Sequence, residues 1–284
     1  MRLKGRHWFS KTGLWLGLAF LYVPIISMIV FSFNNSRLVT VWDAANSPTL
    51  KWYGELFAND QIMGAAWLSI RIAAMTATGA VILGTLAGLV LVRFGPFRGR
   101  ALLSGMTTAP LVMPEVITGL SLLLLFVALQ QLIGWPQSRD VTTITIAHIT
   151  FSMAYVTIVV QSRLAGFDNS LEEAALDLGA KPGKVFFRIT LPLIVPAILS
   201  GWLLAFTLSW DDVVVSQFVA GPGSTTLPMV IFSKVRLGVS PDVNALATIM
   251  VLIVATGVVV SAIWMRRQER RRAREMQMAV AANK

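Results

Sequence analysis

The chain has 284 residues, of which 55% are hydrophobic and only 13% charged, with a mean hydropathy of +0.69. Soluble domains carry about 25% charged residues, so this composition excludes an ordinary water-soluble fold and describes a membrane protein. The net charge of +10 would suit a nucleic-acid binder, but the basic residues lie in short clusters between apolar runs, which argues against one, and the absence of cysteine removes disulfides and thiolate metal sites.

Six stretches approach the roughly 20 apolar residues a bilayer core requires. They fall near 14–33, 65–92, 101–129, 143–160, 193–210 and 245–264. The first is as long as a full span and lacks a small-residue cleavage site, so it reads as a span and not a removable signal. The fold class expected is therefore all-α, with six transmembrane helices in one membrane domain covering 1–284. Placing the N-terminus inside puts 18 Lys and Arg residues on the cytoplasmic side and 5 on the other, with Arg71 inside a span. By the positive-inside rule both termini are cytoplasmic, as is the loop 162–192 between spans four and five. The cytoplasmic set includes Arg2, Lys4, Arg6 and Lys11 and the tail 265–284 with Arg270, Arg271, Arg272, Arg274 and Lys284. That tail reads as a stop-transfer anchor to anionic lipid. On the outer side, the segment after Asn34 carries Trp42, Trp52 and Tyr53, residues suited to a membrane interface or a docking surface.

Polar residues inside spans carry the functional information, because a carboxylate in the bilayer costs at least a few kcal/mol and normally faces a bundle interior or a water-filled path. Glu115 lies about midway through the third stretch, beside Pro110 and Pro114, which should break the helix. Such a break is tolerated only where the backbone lines protein or a cavity. A packing role for Glu115 is the alternative. Asp211 and Asp212 close the fifth stretch after Trp210. Adjacent helical positions point about 100° apart, so the two cannot face one path equally, and one of them reads as a solvated helix end. Arg71 could neutralise one of the pair. Together these acids suit a cationic solute, with Trp210 or Trp202 available for cation–π contact. His7 and His148 stand far apart and read as structural, so no metal site is expected. No phosphate-binding G-x-x-x-x-G-K-[ST] loop occurs, so no cofactor and no catalysis by this chain is expected, and any energy comes from elsewhere.

The loop 162–192 has its own grammar. Ser170 can cap a short helix with Glu173 three residues on, as a capping box. Leu171, Ala174, Ala175 and Leu178 form one apolar stripe, Gly179 sits where a left-handed residue ends a helix, and Pro182 fits the first turn of the next. On these grounds alone the element could be a juxtamembrane connector. The string Glu173-Ala174-Ala175, then Gly179, then Ile189, Leu191 and Pro192 is similar to the cytoplasmic loop signature of binding-protein-dependent ABC importer permeases. That resemblance implies a coupling helix docked on a separate ATPase subunit. The runs Ala109–Gly119, Leu208–Val214, Phe218–Gly223 and Thr225–Pro228 resemble the permease subunits of bacterial putrescine/spermidine importers.

What the resemblance implies is a non-catalytic permease in the bacterial inner membrane, carrying polyamine. Its partners would be a second homologous permease, two copies of an ATP-binding subunit and a periplasmic substrate-binding protein, with no nucleic acid. A permease of this kind for another small solute, or a stand-alone carrier or channel, are the competing readings. The solitary carrier leaves the capped loop unexplained.

Overall fold

The computed structural model describes residues 6–38, 41–166, 168, 170–238 and 240–282, with only the backbone described for 6, 7, 9 and 268–282. Arg2, Lys4 and Lys284, and the side chains of Arg6, His7, Arg270, Arg271, Arg272 and Arg274, therefore lie outside the described residues. Among the described residues every regular element is helical, and six helices are long and apolar enough to cross a membrane: Ser10–Phe31, Asp60–Arg93, Glu115–Ile133, Val141–Ala165, Pro182–Trp210 and Pro241–Arg267. The chain forms two compact units.

One unit comprises residues 1–60 and 234–284. It contains α1 (Arg6–Phe31), α2 (Lys51–Phe57) and α12 (Pro241–Ala282), with α12 packed on both others. No residue in the apolar stretch of α1 is buried within the chain, which suits a helix facing lipid. The helix α12 does not stop at its apolar stretch but continues through the basic tail. Between α1 and α2 a single amide organises the connecting loop. The buried Asn34 donates to the Val41 carbonyl (2.7 Å) and accepts from the Asp43 N–H (2.9 Å) and the Ser47 hydroxyl (3.2 Å), while its own carbonyl receives the Trp52 indole N–H at 2.6 Å. Trp52 is thus buried and spent on the loop, whereas Trp42 stays exposed.

The other unit comprises residues 61–233. Its elements are α3 (Asp60–Arg93), α4 (Arg100–Val112), α5 (Glu115–Ile133), α6 (Val141–Ala165), α7 (Ser170–Asp177), α8 (Pro182–Val185), a π-helical turn (Phe186–Thr190), α9 (Leu191–Trp210), α10 (Val214–Val219) and α11 (Leu227–Leu237). The centre is α6, which packs on α4, α5, α9 and α10. Lipid tails are as apolar as leucine, so helices in a membrane associate through close packing of small residues. The contacts of α6 follow that rule. A Cβ on Gly84 of α3 would lie 2.8 Å from the Val156 Cβ, and one on Gly201 of α9 would lie 3.2 Å from a Val156 methyl. One valine is therefore clasped between two glycine faces.

The stretch expected as a single third span over 101–129 is two helices. Met113 and Pro114 are extended, with ψ 135° at both, and separate α4 from α5. Proline disfavours helical geometry at the residue before it and has no N–H to donate, so the break falls at Pro114. Pro110, expected to break the helix as well, is accommodated near the end of α4. Pro192 is handled differently. The preceding π turn, in which the Leu191 N–H reaches the Phe186 carbonyl, widens the helix so that the chain runs on from Pro182 to Trp210.

Candidate functional site

A cavity of about 560 Å³ opens among α4, α5, α6 and the α9–α10 corner. Its wall carries Glu115, Asp211 and Asp212, together with the rings of Phe151 and Tyr155. The break at Pro114 is what brings Glu115 here. By starting a new helix it places the carboxylate in the first turn of α5, where the helix dipole favours an anion. Glu115 is exposed to the cavity rather than packed.

The two aspartates differ. Asp211 is the C-cap of α9, an end where the dipole disfavours negative charge, and it is exposed. Asp212 is turned inward with its side chain 6% exposed. Its oxygens accept the N–H groups of Val215 (3.2 Å) and Ser216 (2.7 Å), fixing the start of α10, and Oδ2 lies 3.2 Å from His148 Nε2. Arg71, expected to neutralise one of them, is exposed on α3, and among the described residues no ion pair joins it to either.

The tryptophans lie elsewhere. Trp202 stacks on Phe206 (5.3 Å) and Phe206 on Trp210 (6.1 Å), a ladder along α9 in which the Trp202 indole donates to Thr78 at 3.2 Å. Neither lines the cavity. The aromatic lining comes instead from α6. Phe151 and Tyr155 stand four residues apart on one helical face, and that spacing is the signal that would have found them.

A second region is the segment around α7. Gly179 adopts φ +80°, the Gly179 N–H donates to the Leu176 carbonyl (2.9 Å) and the Ala180 N–H to the Ala175 carbonyl (3.0 Å), which is a complete Schellman ending. The expected capping box at the other end is not made. Ser170 is already helical and its N–H donates to Asp168 Oδ1 at 2.9 Å, which holds the Asp168 carboxyl below the usual carboxylate range. Glu173, exposed, is left to face solvent, while its neighbour Glu172 turns inward to Arg93 at the end of α3 (3.1 Å) and to the Thr190 hydroxyl (2.5 Å). Leu171 and Leu178 of the apolar stripe remain 51% and 89% exposed, and Ala174 is exposed between them. Ile189 lies in the π turn, and Leu191 and Pro192 open α9.

The chain is 58% identical over 266 residues to the putrescine transport system permease protein PotI of Escherichia coli (strain K12), covering 93% of each. It is 44% identical over 243 residues to the spermidine/putrescine transport system permease protein PotC of the same strain, covering 86% of this chain and 88% of that one. Among solved structures, a bacterial ABC transporter involved in import of the acidic polysaccharide alginate shares the fold, with a TM-score of 0.69 at 17% identity over 93% of this chain and 97% of the other. Residues 80–274, which hold the cavity acids and the α7 segment together, match the model of one family, and the chain belongs to it: the inner membrane components of binding-protein-dependent transport systems.

Proposed function

We propose that this chain is a transmembrane permease subunit of an ATP-driven polyamine importer, forming half of the translocation path. The observation that carries the reading is the cavity that gathers Glu115 and Asp211 beside two aromatic rings. A polyamine is a flexible chain with separated ammonium groups, and removing it from water is costly unless each charge meets an acceptor. Acids on one wall offer partners to those charges, and Phe151 and Tyr155 offer apolar contact for the methylene segment and cation–π contact for an ammonium. The names of the relatives at 58% and 44% identity point to the same cargo.

In this reading α7 is the coupling helix. Its exposed apolar stripe, Leu171, Ala174 and Leu178, is the face that docks on the ATPase, and the Gly179 ending and the Glu172 contacts hold it at a set angle. The assembly comprises a second homologous permease, two ATP-binding subunits that hydrolyse ATP, and a periplasmic binding protein, with both termini and α7 in the cytoplasm. Purifying the chain from its host should recover these subunits. The recovered complex in proteoliposomes, supplied with ATP and binding protein, should accumulate radiolabelled putrescine. A chain that moves solute alone, or a complex that moves a different solute and no polyamine, overturns the assignment.

A further inference from the structure

His148 sits at the centre of the second unit with no exposed surface. Three polar side chains converge on its ring: Ser209 of α9 at 2.7 Å from Nδ1, Ser216 of α10 at 3.1 Å from Nε2, and Asp212, between those helices, at 3.2 Å from Nε2. All three partners are buried. A carboxylate at Asp212 can only accept, so the nitrogen facing it is the donor of that contact, while Nδ1 meets the Ser209 hydroxyl. His148 is thus hydrogen-bonded to both sides of the α9–α10 corner. The same ring packs 5.4 Å from Phe151, which lines the cavity.

We propose that His148 is the positioning residue of the cavity. By holding Asp212 inward it fixes the corner at which Asp211 is turned to the cavity, so that one aspartate is structural because the other receives cargo. The cargo-binding half of this inference rests on the function proposed above, whereas the anchoring of the corner does not. Asp212 accepts from His148 and from two backbone N–H groups, so removing the imidazole leaves a buried carboxylate short of one donor and unties the α9–α10 corner from α6.

The test uses the assembled transporter with binding protein and ATP in proteoliposomes, and radiolabelled putrescine. His148→Leu fills the space without hydrogen bonds and should lower uptake by about tenfold or more in complexes of normal subunit composition. His148→Gln keeps an N–H for Asp212 and should stay within about threefold of the unmodified complex. Adding Asp212→Asn to His148→Leu should lower uptake by less than the product of the two single losses, because the two share one hydrogen bond. Uptake by His148→Leu at the unmodified rate, equal loss in His148→Leu and His148→Gln, or additive losses in the double variant each overturn the proposal. Should His148→Leu fail to assemble, His148→Gln is compared with His148→Asn, whose shorter amide falls short of Asp212; equal rates in that pair overturn it as well. If the unmodified complex moves no putrescine, the cargo assignment fails by itself. The same order of variants is then expected in ATP hydrolysis stimulated by the binding protein, and its absence removes the anchoring role.

Discussion

The carboxylate of Glu172 lies 3.1 Å from the guanidinium of Arg93, joining the short helix α7 to the end of α3 across 79 residues of sequence. The pair is about four-fifths buried, and the hydroxyl of Thr190, the last residue of the π turn that leads into α9, completes it. One carboxylate therefore holds α7 to two membrane helices at once, which is what the coupling role proposed for α7 requires of a mechanical link.

Breaking that link should separate ATP hydrolysis from transport. Glu172→Gln keeps shape and a bond to Thr190 but removes the charge, leaving Arg93 with a partly desolvated guanidinium; for a pair only partly screened this costs about 1–3 kcal/mol. The expected outcome is ATP turnover that persists while putrescine uptake falls at least about fivefold, the low end of what such an energy implies. The measurement is ATP consumed per putrescine imported, which should rise. A ratio unchanged in Glu172→Gln would leave the pair a packing feature.

Gly179 gives a second handle on the same helix. At φ +80° a side chain meets its own backbone, so Gly179→Leu should strain the turn by about 1–2 kcal/mol. Nothing lies near the glycine, so no other part of the protein need move and the chain should still insert. Uptake should be lost and the ATPase subunits should dissociate more readily on size exclusion. Glu173→Lys reverses the charge of an exposed residue beside the docking stripe and should weaken the same association without affecting insertion. Normal transport in both variants would make α7 a connector.

The cavity acids should not be equivalent. Glu115→Gln and Asp211→Asn each remove one exposed charge and should lower polyamine uptake about tenfold, equal to about 1.4 kcal/mol of transition-state stabilisation. Neither carboxylate supports neighbouring structure among the described residues, so assembly should be unchanged in both. Asp212→Asn should instead lower thermal stability, since its side chain accepts two backbone N–H groups and the imidazole of His148. Melting curves and uptake assays on the three variants should therefore sort them into different groups. Three identical profiles would contradict the distinction.

Orientation is checked most directly by reporter fusions. A fusion after Gly179 should report the cytoplasm and one after Gly223 the periplasm, following the 18-to-5 division of basic residues. Reversed signals at both sites would remove α7 from the reach of any cytoplasmic ATPase.

The spans were legible because length and apolarity suffice to place a membrane helix, and the ending of α7 because Gly179 is the residue a left-handed turn prefers. Glu115 and Asp211 could be read as candidates because charge in a span is expensive. What the sequence hid has a common cause, distance along the chain. Arg93 and Glu172 carry no local mark of their pairing, and the inward turn belongs to Glu172 although the family signature draws attention to Glu173. His148 reads as a lone structural histidine until α9 and α10 bring Ser209, Asp212 and Ser216 to it. The tryptophans are the opposite case. Trp202 and Trp210 are near Asp211 and Asp212 in sequence, yet a period of four along α9 stacks them with Phe206 and not around the cavity.

The glycine-lined seam between α3 and α6 has an entropic consequence. Ala77, Ala80 and Gly84 of α3 meet Val156 and Val160, and neither glycine nor alanine has rotamers to lose, while valine in a helix is already confined to one. Larger side chains along this seam would each forfeit up to about 1–2 kcal/mol of rotamer freedom on docking. In a bilayer no hydrophobic gain compensates such losses between helices. The seam therefore closes with almost no side-chain rotamer freedom left to freeze, so its close packing carries little entropic cost.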